Sequence, residues 1–245
     1  MVTIEHLHKQ FEQRIILDDV NLSWNDGEVL TIIGKSGTGK SVLLKSIIGL
    51  IKPDSGTVTM DGQVISNFTE NEYNLHVRDQ MSMVFQEGAL WDSMTVGENI
   101  ELALRIHKHL SDNERKKIVS ETLEMVGLGH IENEYPEDLS GGMVKRVAIA
   151  RAVATRPKYM LYDEPTTGLD PVLSNVINGL IAQLNRELNV SSLIISHDVE
   201  SIQKISDRIA MLHQGNIIHT CNAKDMWNQS NEIFNKFIHG EVEFL

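Results

Sequence analysis

Apolar positions along this 245-residue chain follow two different periods. In the first third they come in short runs. Val2 and Ile4 alternate with polar residues, Ile15–Leu17 and Val20–Leu22 flank Asp18-Asp19, and Asn25-Asp26-Gly27 marks a turn. Val29-Leu30-Thr31-Ile32-Ile33 is a short apolar run ending at a glycine, the pattern of a buried parallel strand. Leu43, Leu44, Ile47, Ile48 and Ile51 then recur at helical spacing, which predicts a helix ended by Pro53-Asp54-Ser55-Gly56. A further strand is predicted at Thr57–Met60, with a turn at Asp61-Gly62.

From about Glu98 to Arg156 the pattern is helical, with Ile118, Leu123, Val126 and Leu128 on the apolar side. Strand candidates return at Tyr159–Tyr162 and Ser192–Ile195. The helix predicted between them has Asp170 as N-cap, Pro171 in its first turn, and an apolar stripe through Leu173, Val176, Ile177, Leu180, Ile181 and Leu184. These periods predict a parallel α/β core interrupted by a mostly helical insertion, residues 87–157.

Composition narrows the function classes. With 41% hydrophobic and 23% charged residues the chain has the make-up of a globular protein rather than a disordered one. A net charge of -12 argues against nucleic acid as the main partner. Cys221 is the single cysteine, so an internal disulfide is impossible and a reducing compartment is expected. The apolar runs are too short to span a bilayer and the N-terminus lacks a signal pattern, so a soluble or peripherally attached protein is expected.

Candidate chemistry begins at Gly34-Lys35-Ser36-Gly37-Thr38-Gly39-Lys40-Ser41, a phosphate-loop pattern between a predicted strand and a predicted helix. Its glycines let backbone N–H groups wrap phosphates, Lys40 reaches the β/γ oxygens, and the Ser41 hydroxyl suits Mg²⁺. Asp163-Glu164 ends the strand at Tyr159–Tyr162, where open parallel sheets bind ligands. Asp163 is the candidate for holding Mg²⁺ through water, and Glu164 for polarising the attacking water. By itself such an acid pair is weak evidence. Gln86 follows Met83-Val84-Phe85, and its amide oxygen could meet Mg²⁺ or the attacking water; a lone glutamine there is more often a surface residue. His197 ends the run Ile194-Ile195-Ser196 and could donate to a γ-phosphate.

A second glycine-rich segment lies far downstream. In Leu139-Ser140-Gly141-Gly142-Met143 the serine offers a hydroxyl, and the glycines open the backbone to an anion at the start of a helix. One chain thus carries two phosphate-reading surfaces.

Together these residues resemble the ATP-binding subunits of ABC transporters, over nearly the whole chain. Lys40 and Ser41 stand at that family's Walker A, Gln86 at its Q-loop, and Ser140, Gly141 and Gly142 at its signature. Asp163 matches the Walker B acid, Glu164 the catalytic glutamate, Gly168-Leu169-Asp170 the D-loop, and His197 the switch histidine. The resemblance implies ATP and Mg²⁺ as ligands. Gly34, Lys35, Ser36, Gly37, Thr38, Gly39, Lys40, Ser41 and Val42 would hold the nucleotide, with Ser140, Gly141, Gly142 and Asp170. Mg²⁺ would fall to Ser41, Gln86 and Asp163, and catalysis to Glu164, His197 and Gln86. Phe11 is similar to the residue that stacks on adenine; a core aromatic is an equally good reading.

The resemblance also implies a fold, a P-loop NTPase (RecA-like) α/β core with an N-terminal antiparallel β-subdomain and an inserted ABC-type helical subdomain. On this chain that means a single domain: residues 1–86 and 158–225 as core with β-subdomain, 87–157 as helical subdomain, and 226–245 as C-terminal helix and tail. It further implies two copies closing head-to-tail over ATP, a membrane permease as partner, and a cytoplasmic location, peripheral on the cytoplasmic face of the inner (plasma) membrane.

A narrower resemblance, to the Mla/Mce-type ATPases of bacterial phospholipid transport, rests on Met143 in place of the usual glutamine, on the segments 37–45 and 81–93, and on Leu139–Met143 with Lys145-Arg146. It implies an Mce-domain protein as further partner. Amino acids, metals or lipoproteins are alternative cargoes, and a soluble ABC-type ATPase working on DNA or ribosomes is the weaker alternative from another class. Phe234, Phe237, Ile238, Phe244 and Leu245 are similar to that group's tail, which reaches the neighbouring ATPase; packing on the chain's own domain is at least as good a reading.

Overall fold

The computed structural model describes residues 1–107 and 110–241. In chain order its elements are β1 (Val2–Phe11), β2 (Arg14–Trp24), β3 (Val29–Ile33), α1 (Lys40–Ile47), β4 (Ser55–Met60), β5 (Gln63–Val64) and the short α2 (Glu70–Glu72). There follow β6 (Met81–Val84), α3 (Val96–His107), α4 (Asp112–Met125), α5 (Gly141–Val153), β7 (Tyr159–Asp163) and α6 (Pro171–Leu188). The last are β8 (Ser191–Ile195), α7 (Val199–Ile205), β9 (Arg208–His213), β10 (Asn216–Asn222) and α8 (Glu232–Ile238). No helix among the described residues is long and apolar enough to cross a membrane.

The chain forms two compact units. One comprises Met1–Val77 with Ser191–Leu245. In it β1 pairs antiparallel with β2 and β4, and β5 pairs with β4. Here too β3 runs parallel to β8 and to β9, while β10 is antiparallel to β9. Every residue of β3 is buried, as its continuous apolar pattern requires. Two polar contacts tie this layer: Asp207 accepts from Val29 N at 2.8 Å, and the Thr31 and Ser206 hydroxyls share a hydrogen bond of 2.6 Å. Helix α8 packs against the same unit, placing Phe234 and Ile238 among Ile33, Ile202, Ile209, Met211 and Met226. Phe234, Phe237 and Ile238 therefore pack on their own unit, Ile233 is exposed, and Phe244 and Leu245 lie outside the described residues.

The other unit, Arg78–Val190, contains the parallel pair β6–β7 and helices α3 to α6. Helix α5 lies against α3, α4, α6 and β6, and is buried on most of its circumference.

Two sequence expectations change. Helix α1 stops at Ile47, so Ile51 is not part of it. The chain turns at Gly49 (φ 77°), where the Tyr73 ring lies so close that a Cβ would sit 2.4 Å from it. Strands β1 and β2 also extend beyond their short apolar runs, to 10 and 11 residues.

Candidate nucleotide site

In the first unit the loop 34–39 joins the end of β3 to the start of α1. Its glycines are required by geometry. Gly34 (φ 155°) and Gly39 (φ 103°) lie in backbone regions that side chains rarely adopt, and each is also crowded. A Cβ on Gly34 would stand 2.3 Å from the Leu212 carbonyl oxygen, and one on Gly39 2.8 Å from that of Ile16. Gly37 (φ 79°) has open space around it, so its requirement is conformational alone. The loop is held from inside. Lys40 Nζ donates to the carbonyls of Gly34 (2.8 Å) and Lys35 (3.0 Å), and Thr38 Oγ1 donates to Lys35 O (2.9 Å).

Lys40 is 5% exposed, whereas Lys35, Ser36 and Gly37 face solvent and Ser41 and Val42 are half-buried. No side chain caps α1 at Gly39, so a helix N-terminus opens beneath the loop, an arrangement that favours an anion. A cavity of 1170 Å³ adjoins it, lined by Lys35–Thr38, by Arg14–Ile16 of β2, and by exposed His197 just beyond β8. Its far wall is α8, through Ile233, Lys236 and Phe237. Phe11 is 45% exposed, with Lys9 Nζ 5.2 Å from its ring centroid. That exposure excludes the core-aromatic reading.

In the second unit Asp163 is the last residue of β7 and is 5% exposed. Glu164 follows with φ 48°, a left-handed conformation for a non-glycine residue. Thr167 secures it: its hydroxyl donates to Glu164 Oε2 at 2.8 Å, and its N–H to Glu164 O at 3.2 Å. Asp170 Oδ1 accepts from Val172 N (2.8 Å) and Leu173 N (3.0 Å), capping α6 as the sequence predicts.

Ser140 is the N-cap of α5, its hydroxyl accepting from Met143 N at 3.4 Å. The glycines after it differ from those of the phosphate loop. Neither Gly141 nor Gly142 has a positive φ. A Cβ would meet only Leu169 at 3.8 Å on Gly141 and Leu173 at 3.5 Å on Gly142, ordinary contact distances. Among the described residues no contact and no backbone angle demands glycine there.

Gln86 lies two residues beyond β6, half-buried, and its segment is gripped by α5. Lys145 Nζ donates to the Gln86 carbonyl. Arg151 donates to the carbonyls of Gly88 (2.7 Å) and Ala89 (2.6 Å). Asn99, fully buried, accepts from Trp91 N at 2.7 Å and donates to Trp91 O at 3.0 Å. Trp91 itself is 59% exposed. Burial lowers the pKa of Lys145, an effect that the charges of Glu87 and Glu164 oppose. Lys145 and Arg151 stand in the segment that follows the second glycine pair, but motif reading assigns no role to them or to Asn99. A signal existed for the two cations, because they sit on a helix whose other positions are almost all apolar.

The structure brings the phosphate loop and His197 together in one unit, which also holds Phe11, and places Gln86, Ser140–Gly142, Asp163, Glu164 and Asp170 in the other. Among the described residues no group of three or more His, Cys, Asp or Glu side chains forms a metal cage.

Comparison with known proteins adds the following. The model of a family described as ABC transporter matches residues 17–167. The chain is 36% identical over 243 residues to the intermembrane phospholipid transport system ATP-binding protein MlaF of Haemophilus influenzae, covering 99% of this chain and 92% of the relative. It is 38% identical over 243 residues to the methionine import ATP-binding protein MetN of Haemophilus ducreyi, covering 97% of this chain and 70% of the relative. Among solved structures it resembles the ATP-binding cassette MJ0796, described as dimeric, in a post-hydrolysis state, and bound to ADP and Pi. The TM-score is 0.84 and the identity 34%, covering 91% of this chain and 99% of the other.

Proposed function

Because this chain belongs to the ABC transporter family, we propose that it is the ATP-hydrolysing subunit of a phospholipid transporter, working as a pair of copies on a membrane permease. As a member it has the ABC cassette fold, a P-loop NTPase with an antiparallel β-subdomain and a helical subdomain, and it hydrolyses ATP to energise transport. The single observation that carries the paired mechanism is the contrast between its two glycine sets. Gly34 and Gly39 are dictated by this chain's own crowding, whereas Gly141 and Gly142 have room for a Cβ. Glycines that their own fold does not need fit a surface approached from outside, here the γ-phosphate of ATP held by a second copy. The dimeric form of MJ0796 supports the same reading.

Within this reading Lys40 and the loop amides hold the phosphates, Phe11 stacks on the base, Glu164 orients the attacking water, and His197 and Gln86 contact the γ-phosphate region. Ser41, Asp163 and Gln86 would hold Mg²⁺. Their hydroxyl, carboxylate and amide oxygens are the hard donors it takes. When bound, the ion neutralises charge on the transferring phosphoryl group.

Likeness to MlaF and Met143 in the signature support phospholipid as cargo, with an Mce-domain protein as further partner and the cytoplasmic face of the membrane as location. Likeness to MetN at similar identity makes methionine the competing cargo. Copurification from membranes decides between them. A permease, an Mce-domain protein and bound phospholipid are expected, and a complex with a methionine-binding protein would overturn the assignment. In mixed dimers, Ser140→Arg should silence the partner's site while leaving its own nucleotide binding intact. Loss confined to the mutant's own site would refute the cross-chain mechanism.

A further inference from the structure

Lys145 is a charged group that the roles above leave unused. It is 6% exposed on α5, a helix otherwise apolar at most positions. Burying an ammonium group is costly unless something compensates, and a methionine would fill a similar volume without that cost. The compensation is specific. Its Nζ donates to the carbonyl of Gln86, a charge-assisted hydrogen bond of the strong kind. The carboxylates of Glu87 and Glu164 supply the opposing charge. Simple anchoring of the Gln86 segment is already provided further along, where Arg151 and Asn99 hold Gly88, Ala89 and Trp91. Lys145 therefore acts on the first residue of that segment and within electrostatic reach of the residue assigned as base.

We propose that Lys145 is a positioning residue for hydrolysis: its ammonium group fixes the peptide from which the Gln86 side chain departs and gives the Glu164 carboxylate an attractive counter-charge. The inference rests on the assignment of Glu164 and Gln86 above. It places the start of the signature helix and the two residues that meet the attacking water under one cation. Helix α5 carries the signature at its first turn and Lys145 one turn later, so a displacement of that turn is felt at Gln86 and Glu164 together.

The test compares Lys145→Met, Lys145→Gln and Lys145→Arg with the unmodified full chain, using Mg-ATP as substrate. Lys145→Met should lower kcat at least tenfold with KM for ATP changed less than threefold. Lys145→Arg, which keeps charge and donor, should recover kcat to within threefold of the unmodified chain, and Lys145→Gln should stay below it. Thermal melting and binding of a fluorescent ATP analogue are measured on each variant, so that a folding defect is recognised; should Lys145→Met fail to fold, the Gln and Arg pair carries the comparison. Full turnover by Lys145→Met would overturn the inference, as would equal impairment of folded Arg and Gln variants. Glu164→Gln is run alongside. If that variant is inactive while Lys145→Met is not, only this inference fails; if Glu164→Gln hydrolyses ATP briskly, the underlying assignment fails first.

Discussion

The Thr167 hydroxyl donates to the Glu164 carboxylate across 2.8 Å, holding the side chain of a residue whose backbone already sits at φ 48°. The backbone conformation aims Glu164 off the end of β7, and the hydroxyl chooses its rotamer. A hydrogen bond to a charged group is worth about 1.5–3 kcal/mol. Thr167→Val should therefore lower kcat by roughly tenfold, each tenfold being about 1.4 kcal/mol, with little change in ATP affinity. Steady-state kinetics at saturating ATP read this directly, and an unchanged kcat would mean that Glu164 is oriented by other contacts.

The two glycine sets separate by the same kind of substitution. Gly39→Ala forces a Cβ to 2.8 Å from the Ile16 carbonyl at φ 103°. A left-handed conformation alone costs a non-glycine residue about 1–2 kcal/mol, so a lower melting temperature and ATP affinity weakened at least tenfold are expected. Gly142→Ala meets only Leu173 at 3.5 Å, and the backbone there has no positive φ, so alanine fits without strain. This variant should melt no lower than the unmodified chain and bind ATP normally, yet hydrolyse poorly. Calorimetry with hydrolysis assays checks both halves.

Asp170 accepts two amides at the start of α6. Its replacement by alanine should cost about 1 kcal/mol of stability, the usual worth of an N-cap, whatever it contributes to nucleotide binding. Asp170→Asn should retain the cap, since an amide oxygen accepts equally well. Denaturant melts of the two variants separate capping from any effect on ATP turnover.

Acid should loosen the helical part of the second unit through one ion pair. Arg115 donates to Glu101 at 2.8 Å and, with help from Arg105, holds its carboxyl below the usual carboxylate range. A lowered carboxyl pKa contributes stability that is present in full above the unfolded-state value, about 4.3. That contribution is lost as pH falls through the depressed value in the fold. Glu101→Gln should accordingly narrow the stability gap to the unmodified chain as pH drops below about 4. Melting curves across pH 3–7 test it, and a gap independent of pH would exclude this pair as a source of acid sensitivity.

Much of the site could be read without coordinates. The loop Gly34–Ser41, the acids Asp163 and Glu164, and the cap at Asp170 depend on local order: a glycine where φ must be positive, an acid after an apolar strand, an Asp-Pro before a helical stripe. Strands β9 and β10 and helix α7 are absent from the sequence reading; in β10, Asn216–Asn222, polar and apolar residues mix without a clean period. Helix α1 ends at a left-handed Gly49, a stop signal that the sequence reading passed over in favour of Pro53.

By itself the sequence determined the order of phosphate-reading segments and hence the family, since those segments are short and their chemistry is carried by residue type at fixed spacing. Only the tertiary structure decided that Phe11 faces solvent, that Phe234 and Ile238 pack on their own unit, and that Lys145 is buried against the Gln86 carbonyl. It alone separated Gly34 and Gly39, which the fold requires, from Gly141 and Gly142, which it does not. Burial and crowding are set by neighbours from remote parts of the chain, and no local pattern encodes which neighbours those are.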